Sequence, residues 1–238
     1  LHLRALPEPL MREAVLVEQL TQLSDDDAAA LAGEIARRAP TGRPYDVALL
    51  ALAAVLDDKG PRSLGYDRRA ALYEVARARG DHLLQRLLLS AQPATGAPPE
   101  RPSIPGRPDL TLGERKSLAR TRDRELLDRM LRDTDPAVLE IVLTNPRVTE
   151  QDVVRLAARR PTTQEAQRVL FRTRFASRYG VRRALVLNPH TPTDLGAQLV
   201  SLLTEPDLRV VERDMQLPEP VRAAARAQLY VTSGLRRP

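Results

Sequence analysis

Along the first ninety residues, apolar side chains recur every three or four positions, the spacing that lines one face of an α-helix, and polar start signals punctuate them. Ser24 precedes Asp25, Asp26 and Asp27, a capping hydroxyl followed by acids that favour the positive end of the helix dipole. Leu31 and Ile35 then fall on one face. Further helices are expected over residues 46–56, 66–77 and 81–89, about five before residue 90. The longest unbroken apolar run, residues 47–56, is ten residues long and lies between Asp46 and Asp57–Asp58. It is about half as long as a bilayer span, so it reads as a buried helix and no membrane span is expected. Asp57 and Asp58 read as loop.

Residues 91–110 break the pattern. Six prolines and two glycines in twenty positions exclude a helix or a central strand, and predict an extended linker. The expected organisation is a helical domain over residues 1–90, a linker over 91–110 and a second helical domain over 111–238.

That second half repeats itself. Asp135-Pro136-Ala137-Val138 leads through Ile141, Val142 and Leu143 to Asn145-Pro146, after which Thr149 opens a new helix. Forty-three residues later, Val181 leads through Ala184, Leu185 and Val186 to Asn188-Pro189, followed by Thr191 to Asp194. A truncated third copy runs over residues 217–229. The residue before proline is driven out of helical geometry, so Asn145 and Asn188 mark helix ends, and asparagine suits a left-handed cap there. Thr111 with Glu114, Thr149 with Asp152, Thr162 with Glu165 and Thr191 with Asp194 have the spacing of an N-cap. Pro192 suits a first helical position. Helices this short cannot bury a full face alone and must stack on neighbours.

The segment from Leu126-Leu127 through Leu131, Asp133, Pro136 and Val138, with the later Asn145-Pro146, Thr149 and Leu156-Ala157, resembles the HEAT-like repeats of bacteria. It is particularly similar to the leucine-rich repeat variant family, over about residues 111–230. The resemblance implies an all-α fold in which a right-handed α-solenoid follows a small helical domain, with a binding or scaffolding role. The founding protein of that family carries an iron–sulfur cluster. That feature does not transfer to a chain without cysteine.

Composition sharpens these expectations. Aromatic residues make up 3% of the chain, with no Trp and two Phe, so the core comes from Leu, Val and Ala in close-packed helices. The absence of Cys excludes disulfides, thiolate-bound zinc and cysteine nucleophiles. His2, His82 and His190 stand apart with no second ligand at metal-binding spacing. There is no glycine-rich phosphate loop or nucleophile elbow. A non-enzymatic protein without cofactor or metal is expected. No signal peptide is read at the N-terminus, and a cytoplasmic location is expected.

The formal charge of +6 is uneven: residues 1–100 carry 12 basic against 14 acidic side chains, residues 101–238 carry 25 against 17. Nine arginines fall between Arg155 and Arg183 with Glu165 as the only acid. Arg155 with Arg159, Arg168 with Arg172, and Arg178 with Arg182 have i, i+4 spacing, so three successive helices are expected to present one outward basic stripe. The alternative is a solvated face with its charges paired locally. Phe171, Phe175 and Tyr179 interleave with the stripe at a spacing that suits core packing, or base stacking if exposed. An acidic partner protein is the expected ligand, nucleic acid the alternative. A third reading, a HEAT-like DNA glycosylase, is disfavoured because such enzymes place tryptophans at the lesion. The stretch from Arg115 to Arg132 is the next basic candidate.

Overall fold

A computed structural model describes residues 3–42, 45–89 and 110–232. His2 and nearly all of the expected linker lie outside them. Among the described residues there are fourteen α-helices, four short 3-10 helices and no strand. No helix among them is long and apolar enough to cross a membrane. The chain divides into two compact units, one of Leu1–Gln92 with Thr193–Pro238 and the other of Pro93–Pro192.

The first unit opens with α1 (Pro9–Gln22), α2 (Asp25–Arg38), α3 (Tyr45–Leu56), α4 (Tyr66–Ala78) and α5 (His82–Leu88). Ser24 caps α2 as expected, its hydroxyl accepting from the Asp27 amide. The apolar run forms α3, which packs against α1, α2 and α5 and is buried at Val47, Leu49 and every position from Ala51 to Leu56. Arg68 of α4 gathers the α1–α2 corner. Its Nε donates to the Leu20 carbonyl at 2.8 Å, one Nη to the Leu23 carbonyl at 2.5 Å, and the other to Asp25. Gly80 ends α4 at φ +64°, a left-handed conformation that glycine adopts without penalty, and Asp81 then caps α5.

The first unit is completed by α12 (Thr193–Leu199), α13 (Glu205–Arg213) and α14 (Glu219–Thr232). Here the packing departs from the expected division, which assigns these residues to the repeat half. α12 packs against α3 and α5, and the buried Gln198 donates from Nε2 to the Leu87 carbonyl at 2.9 Å. α14 covers α12 and α13. A Cβ on Gly196 would lie 3.1 Å from the Val221 side chain, so these two helices meet at a position with little room for a side chain. Caps and Asn-Pro stops specify where a helix ends; the apolar rows Leu195–Leu199 and Leu208–Val211 specify what it packs on.

The second unit holds α6 (Leu112–Leu118), α7 (Arg124–Met130), α8 (Pro136–Thr144), α9 (Glu150–Ala158), α10 (Gln164–Phe171) and α11 (Tyr179–Val186), with a 3-10 helix at Arg174–Ser177. Each has seven to nine residues, too short for an isolated helix in water. α8 packs on α6, α7 and α10, and α9 packs on α10 and α11. The core is Leu127, Met130, Val138, Leu139, Val142, Leu143, Val153, Leu170, Val181 and Leu185.

Leu143 and Leu185 sit in this core just before the two asparagines, 3% and 0% exposed. Leu143→Ala and Leu185→Ala are each expected to lower the unfolding free energy by about 2–5 kcal/mol, the range for truncating a buried leucine. Urea unfolding of the full chain measures this, and an unchanged midpoint in either variant would contradict the placement of the core.

Candidate functional site

In helices of seven to nine residues about half of the backbone polar groups are end groups, and side chains in this unit meet many of them. Thr111, Asp123, Asp135, Thr149 and Thr163 each accept an amide at the start of α6 to α10. Thr111 with Glu114 and Thr149 with Asp152 form complete capping boxes. Two expectations shift. The cap of α10 is Thr163, one residue beyond Thr162, and the Thr191 hydroxyl donates to the Leu185 carbonyl at 2.6 Å.

The asparagines of the Asn-Pro turns bind neighbouring helix ends. Asn145 is buried, and its Nδ2 donates to the carbonyls of Ala119, at 3.4 Å, and Thr121, at 2.7 Å, just after α6. Its Oδ1 accepts the Arg147 amide at 3.0 Å. Asn188 repeats the arrangement on the end of α9, donating to Ala157 at 2.7 Å and Arg159 at 2.9 Å and accepting from His190 at 3.0 Å. The left-handed cap expected of asparagine is absent: Asn145 has φ −63° and ψ 129°, and no described non-glycine residue has positive φ. The following proline holds the backbone extended, and the side chain does the capping.

Asp152 joins two helices through one carboxylate. It accepts the Thr149 amide and hydroxyl at 2.9 and 2.8 Å, and a two-pronged contact from Arg124 of α7 at 2.9 and 2.6 Å. The Arg124 contact, helped by Thr149 against the opposing effect of burial, holds its pKa down to about 2 from an ordinary 3.8. Arg124 also pairs with Asp128 and donates to the Arg147 carbonyl at 3.2 Å, and Arg178 lies 3.6 Å from Glu150. These contacts set the three loops after α6, α8 and α10 side by side.

The expected stripe does not form as one outward face. Arg168 and Arg182 are 4% and 8% exposed, because residues 166–171 of α10 are buried on every side and α11 is buried at all but its first two residues and Arg183. An i, i+4 pair points outward only if its helix has an outward face. Arg159 donates to the Arg132 carbonyl at 2.8 Å, and Arg172 is half-buried at the end of α10. Only Arg155 and Arg178 of the six are well exposed, and each lies near an acid, Asp152 at 3.9 Å and Glu150. Phe171 and Phe175 are buried.

A group of exposed arginines lies instead on the loop edge. Arg120, Arg122 and Arg147, with Thr121, Ile141, Thr144, Asn145 and Pro146, line an open groove of about 580 Å³. Among the described residues, Arg122 and Arg147 have no carboxylate within ion-pair distance, and Arg120 gives one N–H to the Lys116 carbonyl. The sequence signal was an Arg-Thr-Arg tripeptide following both α6 and α10, at residues 120–122 and 172–174. Among the described residues, no group of three or more His, Cys, Asp or Glu is placed to hold a metal ion. No protein-family model, curated protein or solved structure matches the chain.

Asp152→Asn keeps the shape of the cap but removes its charge. It is expected to lower stability by about 1–3 kcal/mol at neutral pH, a modest figure because Arg124 is half-exposed. A carboxylate whose pKa is depressed on folding stabilises above its unfolded value, and that contribution fades as pH falls from about 4 to about 2. The difference between wild type and Asp152→Asn in urea midpoints should therefore shrink over this window. A difference independent of pH would contradict the role of the ion pair.

Proposed function

We propose that this chain is a non-enzymatic helical scaffold that docks a partner protein, with residues 111–192 forming a short right-handed α-solenoid of the HEAT-like, leucine-rich repeat variant type. The solenoid reading is supported by the packing of α8 on both α6 and α10 and of α9 on α11, and by the recurrence of one asparagine brace at residues 145 and 188. The docking reading rests on one observation. In a unit where most arginines are tied to carboxylates or helix-end carbonyls, a group at the loop edge is left without acids.

Nucleic-acid binding is the competing reading, and it is less well supported. It calls for a continuous run of phosphate contacts and, for single strands, exposed rings to stack on. Arg168, Arg182, Phe171 and Phe175 are all buried.

The full chain, purified under gentle cross-linking from its native cell, is expected to carry a protein whose cross-links fall within residues 111–192. Absorbance should show no excess nucleic acid. Co-purifying nucleic acid released by salt, with log affinity falling by about 0.9 per phosphate contact per decade of salt, would overturn the scaffold reading.

A further inference from the structure

We propose that the groove lined by Arg120, Arg122 and Arg147 is a binding site for an acidic peptide segment, the feature by which the partner protein is recognised. This rests on the scaffold reading above and adds the site and the ligand chemistry.

The argument begins with how the three arginines are held. The side-chain amide of Asn145 bonds the backbone at Ala119, Thr121 and Arg147, so the backbone that carries Arg120, Arg122 and Arg147 is held around one buried group. The groove floor is therefore set before any ligand arrives, which reduces the ordering cost of binding. Flexibility is left to the guanidinium ends, which present planar donor pairs suited to carboxylate and phosphoryl oxygens.

The second copy of the brace shows that the arginines are not needed to build it. Around Asn188, the equivalent positions carry Ala158, Arg160 and His190, and Arg160 is committed to the Leu187 carbonyl at 2.5 Å. The same backbone geometry is thus made with one arginine, itself engaged, where the first copy has three. Three like charges on one groove repel each other, and among the described residues two of them have no acid partner. An anionic ligand relieves that repulsion.

Peptide is favoured over nucleic acid by the extent and lining of the site. The groove's charge comes from three arginines alone, Ile141 and Pro146 offer apolar contact for aliphatic side chains, and no aromatic ring lines it for a base to stack on. Thr121 and Thr144 add hydroxyls at the rim.

The test is fluorescence anisotropy of the full chain at low salt. The probes are a labelled peptide rich in Asp and Glu, the same peptide with one phosphoserine, and a labelled random DNA duplex. The wild type is expected to bind the peptides, and R122Q/R147Q to weaken that binding by about tenfold or more. K116Q/R132Q, which removes the same charge from outside the groove, should change it less than about twofold. Matching helicity and urea midpoints establish that all variants fold. Tighter binding of the phosphorylated peptide, lost in R122Q/R147Q, also supports the site. Failure of the wild type to bind either peptide overturns the proposal, as do equal losses in the two double variants. So does duplex DNA binding more tightly than both peptides and losing affinity in R122Q/R147Q. If a co-purifying protein is retained by R122Q/R147Q, the groove proposal fails while the scaffold reading stands. If the peptides bind the groove but nucleic acid co-purifies, the scaffold reading fails instead.

Discussion

The second unit depends on satisfying the ends of its helices. An α-helix leaves four amides and four carbonyls without internal partners, and at seven to nine residues that is about half of the backbone polar groups. Burying such groups unpaired costs on the order of 1–3 kcal/mol each, so a stack of short helices cannot form on apolar contact alone. Hydroxyl and carboxylate caps meet the amides. Asn145, Asn188, Arg159 and Arg160 meet carbonyls, and each reaches a segment other than its own. The helix ends are satisfied by the same bonds that fix neighbouring segments together.

The first unit solves a different problem. Its opening helices reach fourteen residues, and α3 is apolar on nearly all sides, so burial provides most of the driving force. Polar side chains work at the corners: Arg68 on the carbonyls of Leu20 and Leu23, Gln198 on Leu87, and Asp81, which caps α5 and accepts from Arg37 of α2. Each ties one helix end to another element, and α12 enters this core from the far end of the chain.

Local features were legible in the sequence, and longer-range ones were not. Helical class, the buried helix at residues 45–56, the Ser24 cap and the capping boxes at Thr111 and Thr149 all follow from patterns within a few residues. The stops at Asn145 and Asn188 were legible as stops, because proline restricts the residue before it; that their amides bond segments 24 to 31 residues earlier was not. The arginine stripe failed for the same reason. Spacing places Arg168 and Arg172 on one side of a helix, and only the neighbours of α10 decide that this side is enclosed. Arg120 and Arg122 fall within the second basic candidate, residues 115–132, but their grouping with Arg147 was not legible, because residues 120, 122 and 147 become neighbours through Asn145 rather than through any periodicity.

The two asparagine braces separate architecture from surface chemistry. Each asparagine side chain bonds only backbone atoms of its neighbours, so the residues displayed around it are set by side chains the fold does not consult. Arginine, alanine and histidine occupy matching places on the two copies with the same hydrogen bonds beneath. A substitution there alters what the edge presents to solvent and leaves the brace intact. The edge is in that sense a display frame, one on which new specificities can be drawn by point changes without re-solving the packing of the helices below.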